Sequence, residues 1–197
     1  MKAATAARLA SSLCIACLVG LGGYLLLYVL NGTAGLGSTP LPAALTFTVV
    51  GALFAVVGAL VASRQPANKV GWLMLAAGLC LAATSVGESY ARYALVTAPG
   101  SLPGGLYAAW IQAVLFGMVA ILAIFLPLYF PTGRLLSPRW RPILWAGIGY
   151  LLCAILGNVL MPGPVEWLPG AAAAPNPVVY LPAAKSLFEV VLALSAV

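Results

Sequence analysis

An all-α fold, a polytopic bundle of membrane-spanning helices, is what this sequence predicts. Five apolar runs are long enough to cross a bilayer as helices. The chain is 63% hydrophobic and only 6% charged, and its basic residues collect at alternate ends of those runs. A soluble globular domain usually has about a quarter of its residues charged. A chain this poor in charge belongs in lipid, where a helix satisfies every backbone polar group within its own segment. The net charge of +6 sits at span ends. That placement points to topology and anionic lipid rather than to nucleic acid.

The first span is predicted over residues 9–30, an uncharged run about 33 Å long as a helix. It follows Lys2 and Arg8. It is too long for the apolar core of a cleavable signal peptide, and Asn31-Gly-Thr-Ala-Gly35 is a poor cleavage site, so the span is expected to be retained. Asn31-Gly32-Thr33 also matches a glycosylation sequon, a pattern too common to carry weight. A charge-free Gly/Pro/Ser/Thr loop leads to a second span over 43–62. There Gly51, Ala55 and Ala59 recur every four residues, a small-residue stripe that lets another helix approach closely. The basic loop Ser63 to Lys69 precedes a third span over 70–86, with Trp72 as an interface anchor. A Pro/Gly turn region from Thr97 to Gly105 follows. The fourth span covers 106–130, with Pro127 marking a kink or the last turn. The fifth covers 143–160. A Pro-rich segment over 161–184 reads as an extended outer loop. Residues 187–197 are apolar but only about 16 Å long as a helix, roughly half a bilayer. They read as a truncated sixth span, as a fragment would show.

Charge sets the expected orientation. With the N terminus cytoplasmic, the inner segments hold Lys2, Arg8, Arg64, Lys69, Arg134, Arg139 and Arg141, and no acid. The outer segments and the sixth-span entrance hold Arg92 and Lys185 with all three acids, Glu88, Glu166 and Glu189. Lys and Arg favour the cytoplasmic side, so this arrangement is the expected one. The location implied is the cell membrane, with lipids as the first partners.

The residue inventory excludes several chemistries. There is no histidine, hence no His-ligated metal, His proton relay or phospho-accepting His within these residues. No phosphate-cradling Gly-rich loop and no nucleophile–base set is present, so no cofactor, metal or catalytic residue is expected and these residues are not an enzyme by themselves. Cys14, Cys17, Cys80 and Cys153 lie inside apolar segments. Cys14-Ile-Ala-Cys17 has C-x-x-C spacing but no second ligand pair, so the cysteines read as small packing residues.

Two polar clusters remain as candidate sites. Glu88, Tyr90, Arg92, Tyr93, Tyr107, Trp110 and Gln112 fall near the outer ends of the third and fourth spans. Two opposite charges among aromatics could line an outward-facing pocket for a small ligand or lipid. The simpler reading is an interfacial aromatic belt with a Glu88–Arg92 pair four residues apart. Lys185 and Glu189 make a second pair at this spacing. The other cluster is the loop Phe130-Pro-Thr-Gly-Arg-Leu-Leu-Ser-Pro-Arg-Trp-Arg-Pro142. Pro131-Thr132-Gly133 suits a tight turn, and Pro142 suits the start of a helix. Arg134, Arg139, Trp140 and Arg141 can fix topology and contact lipid, or offer a surface to a cytoplasmic module.

The segment Gln65-Pro-Ala-Asn-Lys-Val-Gly-Trp-Leu-Met-Leu-Ala-Ala-Gly78 resembles the N-P-I-G-W-L-L segment of actinobacterial-type two-component sensor histidine kinases, with Lys69 where proline is usual. The loop from Phe130 to Pro142 is similar to that family's F-P-D-G-R-L-P-S-P-R-W-R-P loop. Glu88 to Ala94 with Pro99-Gly100 and Ala109-Trp110, and Asn176-Pro177, fit the same pattern. The resemblance covers the chain from about Arg64 onward; the first two spans match only in hydropathy. It implies the N-terminal, membrane-embedded input region of such a kinase, with the phospho-accepting helix and ATP-binding domain beyond Val197, a cytoplasmic dimer, and a response regulator as partner. The alternative is a stand-alone small membrane protein, a transporter or accessory component. A membrane-bound enzyme is a third and weaker class.

Overall fold

The computed structural model describes residues 3–36, 39–131, 133–135 and 137–160. They form five α-helices: α1 (Ala3–Leu36), α2 (Leu41–Arg64), α3 (Lys69–Arg92), α4 (Gly105–Tyr129) and α5 (Arg141–Leu160). A π-helical segment, Tyr93–Thr97, continues α3, and a 3-10 turn, Pro138–Trp140, leads into α5. No strand occurs among the described residues. The stretches Ala4–Gly32, Leu41–Arg64 and Lys69–Thr97 are long and apolar enough to cross a membrane. The Pro-rich segment over 161–184, the truncated span over 187–197 and the Lys185–Glu189 pair lie outside the described residues.

Two element boundaries differ from the sequence expectation. The third span was expected over 70–86, yet α3 and its π-helical extension run to Thr97. Glu88 to Tyr93 is polar but contains neither Gly nor Pro, and packing against α1 and α4 satisfies it. The chain breaks only at Pro99-Gly100, where Gly100 takes φ +79°. Likewise α1 starts before Arg8, because Ala3-Ala-Thr-Ala-Ala7 is rich in the strongest helix former. Its regular geometry ends at Gly32, which has φ +52° and ψ −133°.

The centre of the bundle is the antiparallel pair α2 and α3, which meet backbone to backbone. A methyl group on Gly58 would lie 2.5 Å from the Leu75 amide nitrogen and 2.9 Å from the Gly71 carbonyl oxygen. One on Gly71 would lie 2.6 Å from the Ala62 nitrogen, and one on Gly78 would lie 2.9 Å from the Ala55 nitrogen. The buried stripe on α2 is Gly51, Ala55, Gly58 and Ala62. It includes Gly51 and Ala55 of the three small residues expected and runs on through Gly58 and Ala62, while Ala59 is partly buried against the same cluster. Steps of four alone drift around a helix of 3.6 residues per turn, whereas alternating steps of four and three stay on one face.

Helix α1 lies across this pair. Its Cys17 and Leu21 are buried with Ala55, Ala62, Leu75 and Ala82 in one apolar cluster. Cys17 Sγ is 4.0 Å from the Gly51 carbonyl oxygen. Both Cys14 and Cys17 are free thiols. On the other side α4 packs antiparallel on α3, with Gly87 against Gln112 and Gly105 against Ala94. Helix α5 meets α4 where Gly147 faces Phe125. With alternating directions, Arg8, Arg64, Lys69, Arg134, Arg139 and Arg141 share one end of the bundle, here the basic end. Glu88 and Arg92 lie at the opposite end.

The close contact makes a specific demand. Replacing Gly58 with Ala should raise helix propensity by about 1 kcal/mol, yet the methyl group must part the two backbones, at a cost of about 1–3 kcal/mol. Gly58→Ala should therefore lower the thermal unfolding midpoint in detergent. Gly22→Ala, where a methyl group would meet no atom of another helix within 4 Å, should leave it unchanged or raise it. Equal behaviour of the two variants would contradict the packing described.

Candidate functional site

The end opposite the basic loops carries a network of buried polar groups built on α1, α3 and the segment before α2. On α3, Ser85, Ser89 and Arg92 recur at steps of four and three, and all three are buried. They share the face that meets α1. Asn31, buried near the C-terminal end of α1, is the hub. Its Nδ2 donates to the Leu27 carbonyl oxygen at 2.8 Å and to the Ser89 carbonyl oxygen at 3.0 Å. Its Oδ1 accepts from Thr97 Oγ1 at 2.6 Å. One amide thus ties α1 to α3 and to the π-helical segment.

A second chain of bonds runs beside it. Tyr28 Oη donates to the Thr39 carbonyl oxygen at 3.0 Å, and Thr39 Oγ1 donates to Glu88 Oε1 at 3.1 Å. Tyr24 and Tyr28 pack with ring centroids 6.2 Å apart and planes tilted by 60°. Together with Asn31, Ser89 and Arg92 these groups enclose a cavity of about 10 Å³. That is room for one water and for no organic molecule. Carboxylate, guanidinium, amide and phenol therefore meet in a nearly solid polar plug between apolar helices. The arrangement can hold charges in register and respond to a change in hydration or helix position. It cannot enclose a metabolite.

The seven residues predicted near one outer pocket divide between different surfaces. Glu88 and Arg92 face the cavity. Tyr90 lies two residues beyond Glu88, which on a helix turns it by about 200°. Its Oη donates to the Pro103 carbonyl oxygen at 2.7 Å. Tyr93 begins the π-helical segment and is half-buried, as is Trp110 on α4. Gln112 is buried on α4 against Gly87. Its Oε1, like Thr84 Oγ1, has no hydrogen-bond partner among the described residues. The exposed ring of Tyr107 lies on α4 away from the cavity. Tyr24, Tyr28, Asn31, Thr39, Ser89 and Thr97 were not anticipated as site residues. The signals for them are slight: an i,i+4 tyrosine pair, and a single amide closing an apolar run.

A second concavity, of about 420 Å³, opens along α1, α3 and α4. Its walls are almost wholly apolar, and Ala16, Gly20, Ala83, Gly87 and Tyr90 are among the residues that line it.

At the basic end the α2–α3 and α4–α5 loops dock on each other. Asn68 caps α3, its Oδ1 accepting from the Val70 amide at 3.0 Å. Its Nδ2 donates to Gln65 Oε1 at 3.2 Å and to the Pro131 carbonyl oxygen at 3.3 Å. Gly133, at φ +73°, lies so close that a methyl group there would be 2.6 Å from Asn68 Oδ1. Lys69 Nζ stands 5.1 Å from the centroid of the Tyr129 ring. Trp72 Nε1 donates to the Pro66 carbonyl oxygen at 3.0 Å, so this tryptophan also braces the loop. Arg134, Arg139, Trp140 and Arg141 are exposed.

No protein-family model matches the chain, and no curated protein or solved structure matches it either.

Removal of the hub should loosen this end selectively. Interhelical hydrogen bonds in membrane proteins are worth about 0.6–1.7 kcal/mol each. Asn31→Ala should lower unfolding free energy by about 1–3 kcal/mol and speed amide exchange over 93–97, while exchange around Gly58 stays as it is. Unchanged exchange at 93–97 would show that Asn31 is not the tie.

Proposed function

We propose that these residues are the membrane-embedded input region of a two-component sensor histidine kinase. The bundle lies in the cell membrane, with the N terminus and the basic end in the cytoplasm. The kinase module follows in cis beyond Val197, works as a dimer and passes phosphate to a response regulator. No catalysis occurs in the stretch itself.

The observation that carries the reading is the polar plug in which buried Asn31 and Arg92 meet half-buried Glu88. Polar and ionisable groups inside a membrane bundle are costly and usually functional. Here they join α1 and α3 at one end, while the same α3 begins at the basic end under the docked loops. A stimulus that favours one packing of the plug over another would bias the relation between α1 and α3, and so the helices that leave toward the cytoplasm. The kinase assignment is supported by the two motif segments, Gln65 to Gly78 and Phe130 to Pro142, and by their mutual contact through Asn68 and Gly133.

The small size of the polar cavity narrows the stimulus. It suits a change in hydration, lateral pressure or lipid packing better than capture of a metabolite. One observation favours the alternative, a stand-alone transporter or accessory protein: the apolar groove of about 420 Å³ is within the size range of ligand pockets. The two readings separate in the parent gene product. The sensor reading expects a His-bearing helix and an ATP-binding domain downstream of Val197; a reading frame closing within a few codons would favour the alternative.

A functional test uses the parent protein with a transcriptional reporter. Glu88→Gln with Arg92→Gln should shift basal output by severalfold or abolish the response, at unchanged expression. Wild-type signalling by that variant would remove the plug from the mechanism.

A further inference from the structure

We propose that the basic end seats one anionic phospholipid. Its phosphate lies in the basin shared by the α2–α3 and α4–α5 loops, and one acyl chain lies along the exposed face of α5. The inference is independent of whether a kinase module follows.

The loop contact is what makes a site from separate charges. Arg64 and Lys69 flank the α2–α3 loop; Arg134 and Arg139 lie between α4 and α5, and Arg141 begins α5. Asn68 bonded to Pro131, and Gly133 seated on Asn68, hold the two loops as one surface. All five basic side chains are exposed, and the described residues at this end include no acid. Ser137 Oγ accepts from the Arg139 amide at 3.2 Å and fixes the turn that presents Arg139 and Arg141. Arginine is suited to phosphate because its planar fork donates two bonds at once.

The second component is apolar. Arg141, Trp145, Leu152 and Leu156 fall on one face of α5, within about 60° of arc. The three apolar members are 67%, 55% and 46% exposed. From Arg141 to Leu152 the helix descends about 16 Å, close to the hydrocarbon depth of one leaflet, about half of 30 Å. Trp140, 41% exposed, stands at headgroup level, where tryptophan is favoured. A lipid satisfies both parts together, with its phosphate on the arginines and its chain on the stripe. A soluble acidic partner would reach the arginines and leave the stripe uncovered.

The test uses the full chain in phosphatidylcholine nanodiscs doped with phosphatidylglycerol carrying brominated chains, which quench nearby tryptophan. Brominated phosphatidylglycerol should quench at a severalfold lower mole fraction than brominated phosphatidylcholine. Trp145→Phe should remove most of the preferential quenching. Arg139→Gln with Arg141→Gln should abolish this severalfold preference, since about 1 kcal/mol per basic residue at a membrane surface is roughly fivefold for each. Arg139→Lys with Arg141→Lys keeps the charge that sets topology, and should retain most of the preference. If the Gln variant inserts wrongly, salt replaces it: raising NaCl from about 50 to about 500 mM should weaken the wild-type preference. Equal quenching by the two lipids, or a preference unmoved by both the Gln variant and salt, would overturn the proposal. So would displacement of the brominated phosphatidylglycerol by an acidic peptide, which would assign the surface to a protein.

Discussion

The backbone contact between α2 and α3 is the constraint on which the other features depend. Between lipid-facing helices the hydrophobic effect gives little drive to associate, so stability comes from close packing and from hydrogen bonds. Gly58, Gly71 and Gly78 let the two helices approach until amide and carbonyl groups of one touch Cα positions of the other. That proximity fixes their relative rotation. It sets which face of α3 is left for α1 and which for α4, and it brings Ser85, Ser89 and Arg92 to the α1 side. Leu75, the largest fully buried side chain among the described residues, packs beside the seam in the cluster with Cys17 and Leu21. The outer apolar residues of α1 and α2, such as Val19 and Leu53, stay exposed, as expected of surfaces solvated by lipid.

The polar plug answers a different requirement. Asn31, Glu88 and Arg92 have few ways to be satisfied in a bundle this apolar, and each must find partners near the place where its helix puts it. The partners come from α1, the segment before α2, and the π-helical continuation of α3. This makes the plug a joint among three segments, and its members cannot rearrange separately. A π-helical turn differs from α-helix by one residue per turn and often marks functional positions. Here Thr97, at its end, bonds to Asn31. The plug and the α2–α3 loop sit at opposite ends of α3.

Much of the fold was legible from residues alone, for identifiable reasons. Apolar runs interrupted by Arg64 to Lys69 and by Arg134 to Arg141 located the helices, because charge is excluded from hydrocarbon. The end of α3 was not legible. Polarity at Glu88 to Tyr93 resembles a span boundary, and only packing against α1 and α4 reveals that the helix goes on. The candidate site was half legible. Glu88 and Arg92 stand out in an apolar chain, but their companions were sought nearby in sequence, among Tyr90, Tyr93, Trp110 and Gln112. Helical geometry turns Tyr90 away, and the true neighbours, Tyr28, Asn31 and Thr39, lie some fifty residues earlier. Asn31 was visible only as part of a sequon.

By itself the sequence determined the all-helical class, the approximate helix positions and the charge asymmetry of the ends. These depend on the transfer free energy of each residue between water and hydrocarbon, a local property that sums along the chain. The tertiary structure alone decided the seam at Gly58, the hub at Asn31, the size of the polar cavity and the docking of Gly133 on Asn68. Those depend on distances between segments far apart in the chain. At such contacts a single methyl group or a turn of one residue changes which atoms meet, and composition and periodicity carry no record of it.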